Sequence, residues 1–147
     1  MKRSPMPARR TPMPRGSALR RLSVIRRRKL HHDPVWSAVR AVLWTRSGGR
    51  CEACGLHLDP ATWQGHHRKL RARGGHHSAT NALALCPACH TGAPYAVHRD
   101  VGAATFDGQI VPAHADPAVV PVRLYDGRWV LLTTDGGYTA ADTEERT

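Results

Sequence analysis

The stretch CEACGLHLDPATWQGHHRKLRARGGHHSATNALALCPACH, residues 51–90, decides the fold of this 147-residue chain. It opens with the pair Cys51 and Cys54 and nearly closes with the pair Cys86 and Cys89, which leaves 31 residues between the pairs. Two Cys-x2-Cys pairs at such a spacing are typical of structural zinc, where four thiolates fill a tetrahedral shell and leave no position for a substrate. The pattern therefore predicts one four-cysteine zinc site, and it favours a reducing compartment over a disulfide framework.

Several residues between the cysteine pairs are not needed for such a zinc site: His66-His67, Gly74-Gly75, Asn81 and, directly after the last cysteine, His90. Neighbours on an extended strand point to opposite faces, so one ring of the doublet can bind a second metal ion while the other faces water. The glycines allow a sharp chain reversal. Asn81 follows them, where its amide can fix backbone or orient a ring, and His90 is expected to begin a helix facing the strands.

Positive charge is concentrated in two zones of the sequence. Residues 1–30 hold eleven Lys or Arg and no acid, and residues 60–99 hold five bases and no acid, whereas residues 100–147 hold eight acids and three bases. This distribution favours a polyanionic partner. A solubility tail and a mitochondrial transit peptide are alternatives for residues 1–30, although the prolines there oppose an amphipathic helix. No apolar run is long enough to cross a bilayer, so no membrane partner is expected.

Two further segments have clear secondary-structure signals. Asp33-Pro34 predicts a helix start, and the apolar residues Val35, Trp36, Val39, Val42 and Leu43 share one face of an amphipathic helix that Gly48-Gly49 ends. Near the other end, the apolar runs 119–125 and 128–133 flank Asp126-Gly127, which predicts a β-hairpin with a tight two-residue turn.

These signals predict four segments. Residues 1–30 are expected to form a disordered basic tail, and residues 31–100 a domain with an N-terminal helix and two zinc knuckles. Residues 101–138 are expected to form an extension with a β-hairpin, and residues 139–147 a frayed end. Few apolar residues occur between the cysteine pairs, so the domain is expected to depend on bound zinc for its stability.

The ordered string Cys51-x2-Cys54, His66-His67, Gly74-Gly75, Asn81, Cys86-x2-Cys89-His90 resembles the HNH endonucleases, which have the ββα-metal fold. The resemblance covers about residues 50–99. It implies a small α+β protein with a ββα-metal core held by a four-cysteine zinc site, preceded by the amphipathic helix and followed by the hairpin. The basic tail and the C-terminal segment are more loosely similar to small HNH proteins of actinobacterial phages.

The resemblance also implies roles for individual residues. His67 stands where the general base belongs, and Asn81 where a residue orients that base or pins the loop. His66 and His90 stand where ligands of a catalytic divalent ion belong (Mg²⁺, Mn²⁺, Ni²⁺ or Zn²⁺), and His98 is the candidate for a further ligand. Arg68, Lys69, Arg71 and Arg73 are expected to bind DNA phosphates.

Other histidines receive no role at this level. His98 lies eight residues after His90 with Pro94 between them, so a single helix face joins the two only if the segment bends. The second doublet, His76-His77, lies so close to Asn81 that it is interpreted as solvated, as is His31-His32. His57 and His114 are likewise left without a function.

The function implied is metal-dependent hydrolysis of DNA phosphodiester bonds, by nicking or by double-strand cleavage. The phage likeness implies a role beside the terminase in DNA packaging, and a cytoplasmic location in the host. One alternative is a non-catalytic nucleic-acid-binding module stabilised by zinc. Another is a redox or zinc sensor, but that function does not explain Asn81, the glycines or the charge.

Overall fold

The computed structural model describes residues 33–141, so the predictions for residues 1–32 and 142–147 lie outside the described part of the chain. Two longer helices, α1 (Pro34–Ser47) and α2 (Val101–Phe106), accompany two antiparallel sheets. The first sheet pairs β1 (Gln64–His67) with β2 (Ala82–Leu85), and the second has the order β3 (Val122–Arg123), β4 (Trp129–Leu132), β5 (Tyr138–Ala140). The predicted small α+β class is confirmed.

Helix α1 begins and ends where the sequence predicts. The Asp33 carboxylate accepts hydrogen bonds from the amides of Val35 and Trp36, and Gly48 ends the helix in the left-handed conformation at φ 60°. These interactions satisfy backbone groups that a helix end leaves without partners. The predicted apolar face is only partly buried, because Leu43 is fully enclosed whereas Val35 is 57% exposed.

Strands β1 and β2 form a hairpin with His66 opposite Leu83 and His67 opposite Ala82. The loop between them contains two short 3₁₀ turns, Arg71–Arg73 and Ala79–Asn81. After β2 the second knuckle continues into one π-helical turn, Ala88–Gly92, where the sequence predicts a helix beginning at His90. The order strand, strand, helical turn agrees with a ββα core.

The chain after residue 100 differs from the prediction in three details. The turn has three residues rather than two, since the Leu124 amide donates to the Arg128 carbonyl and Gly127 adopts φ 85°. A left-handed glycine at the end of a three-residue loop is a common hairpin solution. Residues 139–140, expected to begin the frayed end, belong to strand β5, and helix α2 was not predicted.

A buried ion pair joins the first knuckle to the rest of the protein. Arg46 on α1 donates from Nε and from its terminal nitrogen to the two carboxylate oxygens of Glu52, at 2.9 and 3.0 Å, and both side chains are almost fully enclosed. Glu52 also accepts from the Ala84 amide at 2.6 Å and from the Tyr138 hydroxyl at 2.5 Å. One carboxylate thus connects α1, β2 and β5.

The hydrophobic core is shared by all these elements rather than by the cysteine-rich segment alone. Buried apolar side chains come from α1, β2, the C-terminal sheet and the segments between them, among them Leu43, Leu85, Val97, Val122 and Leu132. The apolar residues missing between the cysteine pairs are therefore supplied by the flanking segments. Across residues 33–141 no helix combines the length and apolar character required to span a membrane.

We expect Glu52→Gln to lower the free energy of unfolding by about 3 kcal/mol, because it leaves the buried Arg46 guanidinium without a countercharge. The matched control is Asp107→Asn, since Asp107 pairs with the exposed Arg123 at 3.8 Å. That change should cost less than about 1 kcal/mol. Urea unfolding of the zinc-loaded proteins measures both values, and similar losses in the two variants would contradict the assignment of Glu52 as a central contact.

Candidate active site and metal centres

The four cysteines converge at one point, as the sequence predicts. One sulfur atom from each of Cys51, Cys54, Cys86 and Cys89 lies within 4.8 Å of every other. Backbone amides support the cluster: the Cys86 amide donates to the sulfur of Cys51, and the Cys89 amide donates to the sulfur of Cys86. Such amide contacts favour sulfur in its negatively charged form.

The chemistry of this donor set fits a metal ion. Burial raises the pKa of Cys51 to about 11, and burial followed by the nearby sulfurs raises the pKa of Cys89 still further. Burial opposes the charged form of Cys86 as well, but hydrogen bonds from the Cys89 amide and from neighbouring thiols lower its pKa overall. A bound cation would favour the thiolate form of the whole set, and a four-thiolate shell is the usual environment of structural zinc.

Three histidines form a second cluster. His66 on β1, His90 on the π-helical turn and His98 beyond it each place one ring nitrogen within 4.8 Å of the others. The segment after His90 bends back, with the Val97 and His98 amides donating to the Cys89 and His90 carbonyls. This bend overcomes the eight-residue spacing that separates His98 from His90 in the sequence.

Hydrogen bonds determine which ring nitrogens face the centre of this cluster. His66 Nε2 lies 2.9 Å from the Gln109 carbonyl, so it carries a hydrogen and leaves Nδ1 as the donor atom for a metal. His90 Nδ1 is bonded to the Gln64 side-chain oxygen, so its Nε2 remains available. Outer contacts of this kind commonly orient metal-binding histidines.

The spacing of the cluster also fits a shared ion. His90 Nε2 and His98 Nε2 lie 3.0 Å apart. Two nitrogens bound to one ion at about 2.0–2.1 Å lie about 2.8–3.4 Å apart for bond angles between about 90° and 109°. Burial, followed by contributions from His90 and His98, lowers the pKa of His66 to about 3, and burial also lowers the pKa of His90. His66 and His90 are therefore neutral near pH 7, as metal binding requires.

His67 points to the other face of β1, where helix α1 covers it. Its ring stacks on Trp36 with centroids 4.2 Å apart and planes 24° from parallel. Gly65 permits this packing, because a Cβ atom there would lie 2.6 Å from the Trp36 ring. Burial first, then the neighbouring His77 and Arg71, lowers the pKa of His67 to about 4. The half-buried imidazole is thus neutral near pH 7 and able to accept a proton.

Asn81 fixes the loop between the two strands. Its side-chain oxygen accepts from the Lys69 amide at 2.7 Å, and its nitrogen donates to the carbonyls of Lys69 and His76 at 3.0 Å each. Gly75 is needed at the same place, since a Cβ atom would lie 1.8 Å from the Lys69 carbonyl oxygen. Of the two predicted uses of Asn81, fixing backbone and orienting a ring, the geometry shows the first.

His77 is not solvated, which corrects the interpretation of the second histidine doublet. Its Nδ1 lies 2.8 Å from Nε2 of His67, and its Nε2 lies 3.2 Å from a carboxylate oxygen of Asp33. His76, in contrast, has an exposed side chain. A spacing of ten residues on a looped segment leaves no periodic signal, so the sequence did not reveal the contact between His67 and His77.

Arg68 also lies elsewhere than the sequence predicts. It is fully buried rather than available to DNA, and its guanidinium donates to five backbone carbonyls, those of Thr80, Gly108, Pro117, Val120 and Pro121. Five fixed donors suit an arginine fork. Arg68 therefore ties the segment 108–121 to β1, and its expected role as a phosphate contact is wrong.

The other three predicted phosphate contacts lie nearer the surface. Arg71 and Arg73 have exposed side chains, and Arg71 donates to the Gly75 carbonyl at 2.8 Å. Lys69 is partly buried and its ammonium lies 3.2 Å from the Ala115 carbonyl. Arg71 and Arg73 are thus the accessible basic side chains of the loop that connects β1 to β2.

Comparison with known proteins identifies the class of the central segment. Residues 51–93 match the family model described as HNH endonuclease. The match begins at Cys51 and includes both knuckles, the His66-His67 doublet, Asn81 and His90, so it confirms the predicted resemblance over this segment. The segment is thus similar to HNH endonuclease domains. The search of curated proteins and the search of solved structures found no match.

We expect Arg68→Ala and Arg73→Ala to affect different properties of the protein. The first leaves several buried carbonyls without donors and should lower the free energy of unfolding by about 3 kcal/mol or more. The second should leave stability within about 0.5 kcal/mol and weaken DNA binding. Urea unfolding and fluorescence anisotropy with a duplex measure the two properties, and a surface role for Arg68 would appear as weaker binding at unchanged stability.

Proposed function

We propose that this protein is a metal-dependent endonuclease that hydrolyses DNA phosphodiester bonds, with His67 as the general base. The observation that carries the proposal is the arrangement of the doublet on β1. His66 joins His90 and His98 in a cluster with metal-binding spacing, while the adjacent His67 is a neutral ring outside that cluster. Both features lie in the segment that matches the HNH endonuclease family, except for His98.

The residues divide the chemistry between them. His66, His90 and His98 would hold a divalent ion, which when bound would stabilise the negative charge that develops on the phosphate and on the leaving 3′ oxygen. His67 would accept a proton from the water molecule that attacks phosphorus. The expected products carry 5′-phosphate and 3′-hydroxyl ends. Asn81 would hold the loop that follows His67 in place.

The identity of each ion follows from its donors. We assign zinc to the four cysteines, because a closed thiolate shell suits a structural role. The catalytic ion has only imidazole donors from the protein, which suits zinc, nickel or another transition metal better than magnesium. Magnesium prefers oxygen ligands, so among Mg²⁺, Mn²⁺, Ni²⁺ and Zn²⁺ we expect Mg²⁺ to support the lowest activity.

DNA would be held chiefly through its backbone. Arg71 and Arg73 are accessible beside the loop that Asn81 fixes, and arginine forks suit phosphate. The eleven Lys and Arg side chains of residues 1–30 would add to the DNA affinity, and their contribution would weaken as the salt concentration rises. We extend the proposal to action beside a phage terminase and to a location in the host cytoplasm. Both extensions rest only on the looser likeness to small phage proteins.

A supercoiled-plasmid assay tests the proposal. Wild type supplied with Mn²⁺, Ni²⁺ or Zn²⁺ should convert plasmid to nicked or linear DNA. His67→Ala should reduce the cleavage rate by about 10²-fold or more, because general-base catalysis typically contributes that much. The variant should stay folded and its DNA affinity should change little, although loss of the stack on Trp36 and of the His77 contact should lower its melting temperature.

The matched control is His57→Ala, which removes an exposed histidine that lies outside both clusters. Its cleavage rate should equal that of wild type. Salt-sensitive DNA binding without cleavage under any of the metals would instead identify a non-catalytic nucleic-acid-binding module stabilised by zinc. Undiminished cleavage by His67→Ala would refute the assignment of the base.

A further inference from the structure

A chain of three side chains leads from the start of helix α1 to the proposed base. The Asp33 oxygen Oδ2 lies 3.2 Å from His77 Nε2, and His77 Nδ1 lies 2.8 Å from His67 Nε2. The other carboxylate oxygen of Asp33 accepts the two amides that begin the helix, which fixes the carboxylate in place. His77 is only 17% exposed, so water competes weakly for its contact with His67, whereas the Asp33 carboxylate is 46% exposed and partly hydrated.

The direction of the hydrogens in this chain follows from Asp33. A carboxylate only accepts hydrogen bonds, so it favours the tautomer of His77 that carries its hydrogen on Nε2. With only that hydrogen on its ring, His77 has an acceptor at Nδ1. The contact with His67 requires a donor on the other side, and that donor is Nε2–H of His67.

The consequence concerns the atom of His67 that can take a proton. A neutral imidazole with its hydrogen on Nε2 has its lone pair on Nδ1. Within residues 33–141, Nδ1 of His67 has no hydrogen-bond partner. Stacking on Trp36 also limits rotation of the ring, because the two planes lie only 24° from parallel.

We propose that Asp33 and His77 are positioning residues that fix the tautomer of His67 and make Nδ1 the proton-accepting atom. The inference rests on the proposed function in so far as His67 is the base. Asp33 and Trp36 belong to α1 and its cap and lie before the residues that match the HNH endonuclease family. The helix would therefore be part of the catalytic apparatus rather than a cover for the metal-binding segment.

Two substitutions of Asp33 separate its role in the chain from its role as a helix cap. Asp33→Ser keeps a side chain that caps helices well but removes the carboxylate near His77. Asp33→Asn also caps, but its single amide oxygen is then used by the helix amides, and its NH₂ group faces His77. An amide in place of an orienting carboxylate inverts the tautomer of its histidine partner.

A long-range ¹⁵N–¹H correlation spectrum near neutral pH reads the tautomers directly. In the zinc-loaded wild type, His67 and His77 should both carry hydrogen on Nε2, with His67 assigned by loss of its signals in His67→Gln. Asp33→Asn should move the hydrogen of His67 to Nδ1. Asp33→Ser and His77→Ala should give a mixture, and His76→Ala should resemble wild type.

Plasmid cleavage supplies the second readout. Asp33→Asn and His77→Ala should lower kcat by about tenfold or more, a part of the general-base contribution. Asp33→Ser should lower it less. DNA affinity measured without added divalent ion should be unchanged in all three variants, and His76→Ala should cleave at the wild-type rate.

The two proposals fail in different ways. The inference would be overturned if wild-type His67 carries its hydrogen on Nδ1. It would also be overturned if neither Asp33→Asn nor His77→Ala changes the tautomer of His67, even if the protein cleaves DNA. Unchanged kcat in both variants would overturn it as well. Absence of cleavage by wild type would refute the proposed function, and the spectrum would still decide whether Asp33 and His77 set the tautomer of His67.

Discussion

The convergence of four cysteine sulfurs constrains the rest of the structure. Cys51 and Cys54 precede β1, whereas Cys86 and Cys89 follow β2, so bringing the pairs together closes the hairpin between them. Ions held by four thiolates contribute folding free energy directly, about 10–16 kcal/mol in small zinc modules. Glu52 lies inside the first knuckle. Its buried ion pair with Arg46 and its hydrogen bond from the Tyr138 hydroxyl connect the knuckle to α1 and β5.

Closing the hairpin gives β1 two chemically different faces. Because successive side chains on a strand alternate, His66 turns toward His90 and His98, and His67 turns toward Trp36 and His77. In the proposed function, the two residues of this motif would divide into a metal-binding half and a proton-accepting half. Both rings are neutral near pH 7 because burial lowers the pKa of each, to about 3 for His66 and about 4 for His67.

Features encoded by neighbouring residues could be predicted from the sequence. Both cysteine pairs, helix α1 with its Asp33 cap, and the reversal at Gly74 all depend on local spacing or on one backbone conformation. The hairpin was predicted in outline, although the turn type was wrong because Asp126-Gly127 suits both a two-residue and a three-residue loop.

Features that depend on distant partners could not be predicted. Arg68 was assigned to the surface because an arginine in a basic stretch is usually solvated, and the five carbonyls that enclose it come mostly from residues 108–121. His77 was dismissed on its closeness to Asn81, although the loop folds back toward His67. The sequence did contain one overlooked signal, the acid Glu52 inside a cysteine knuckle, where an unpaired charge would be costly.

X-ray absorption spectroscopy of protein loaded with zinc and then with one equivalent of nickel tests the central claim most directly, because the claim requires two separate metal centres. The account predicts four sulfur neighbours at about 2.3 Å around zinc, and nickel surrounded by nitrogen and oxygen with imidazole scattering and no sulfur. Sulfur in the nickel shell, or a protein that binds only one ion and leaves His66, His90 and His98 without metal, would contradict it.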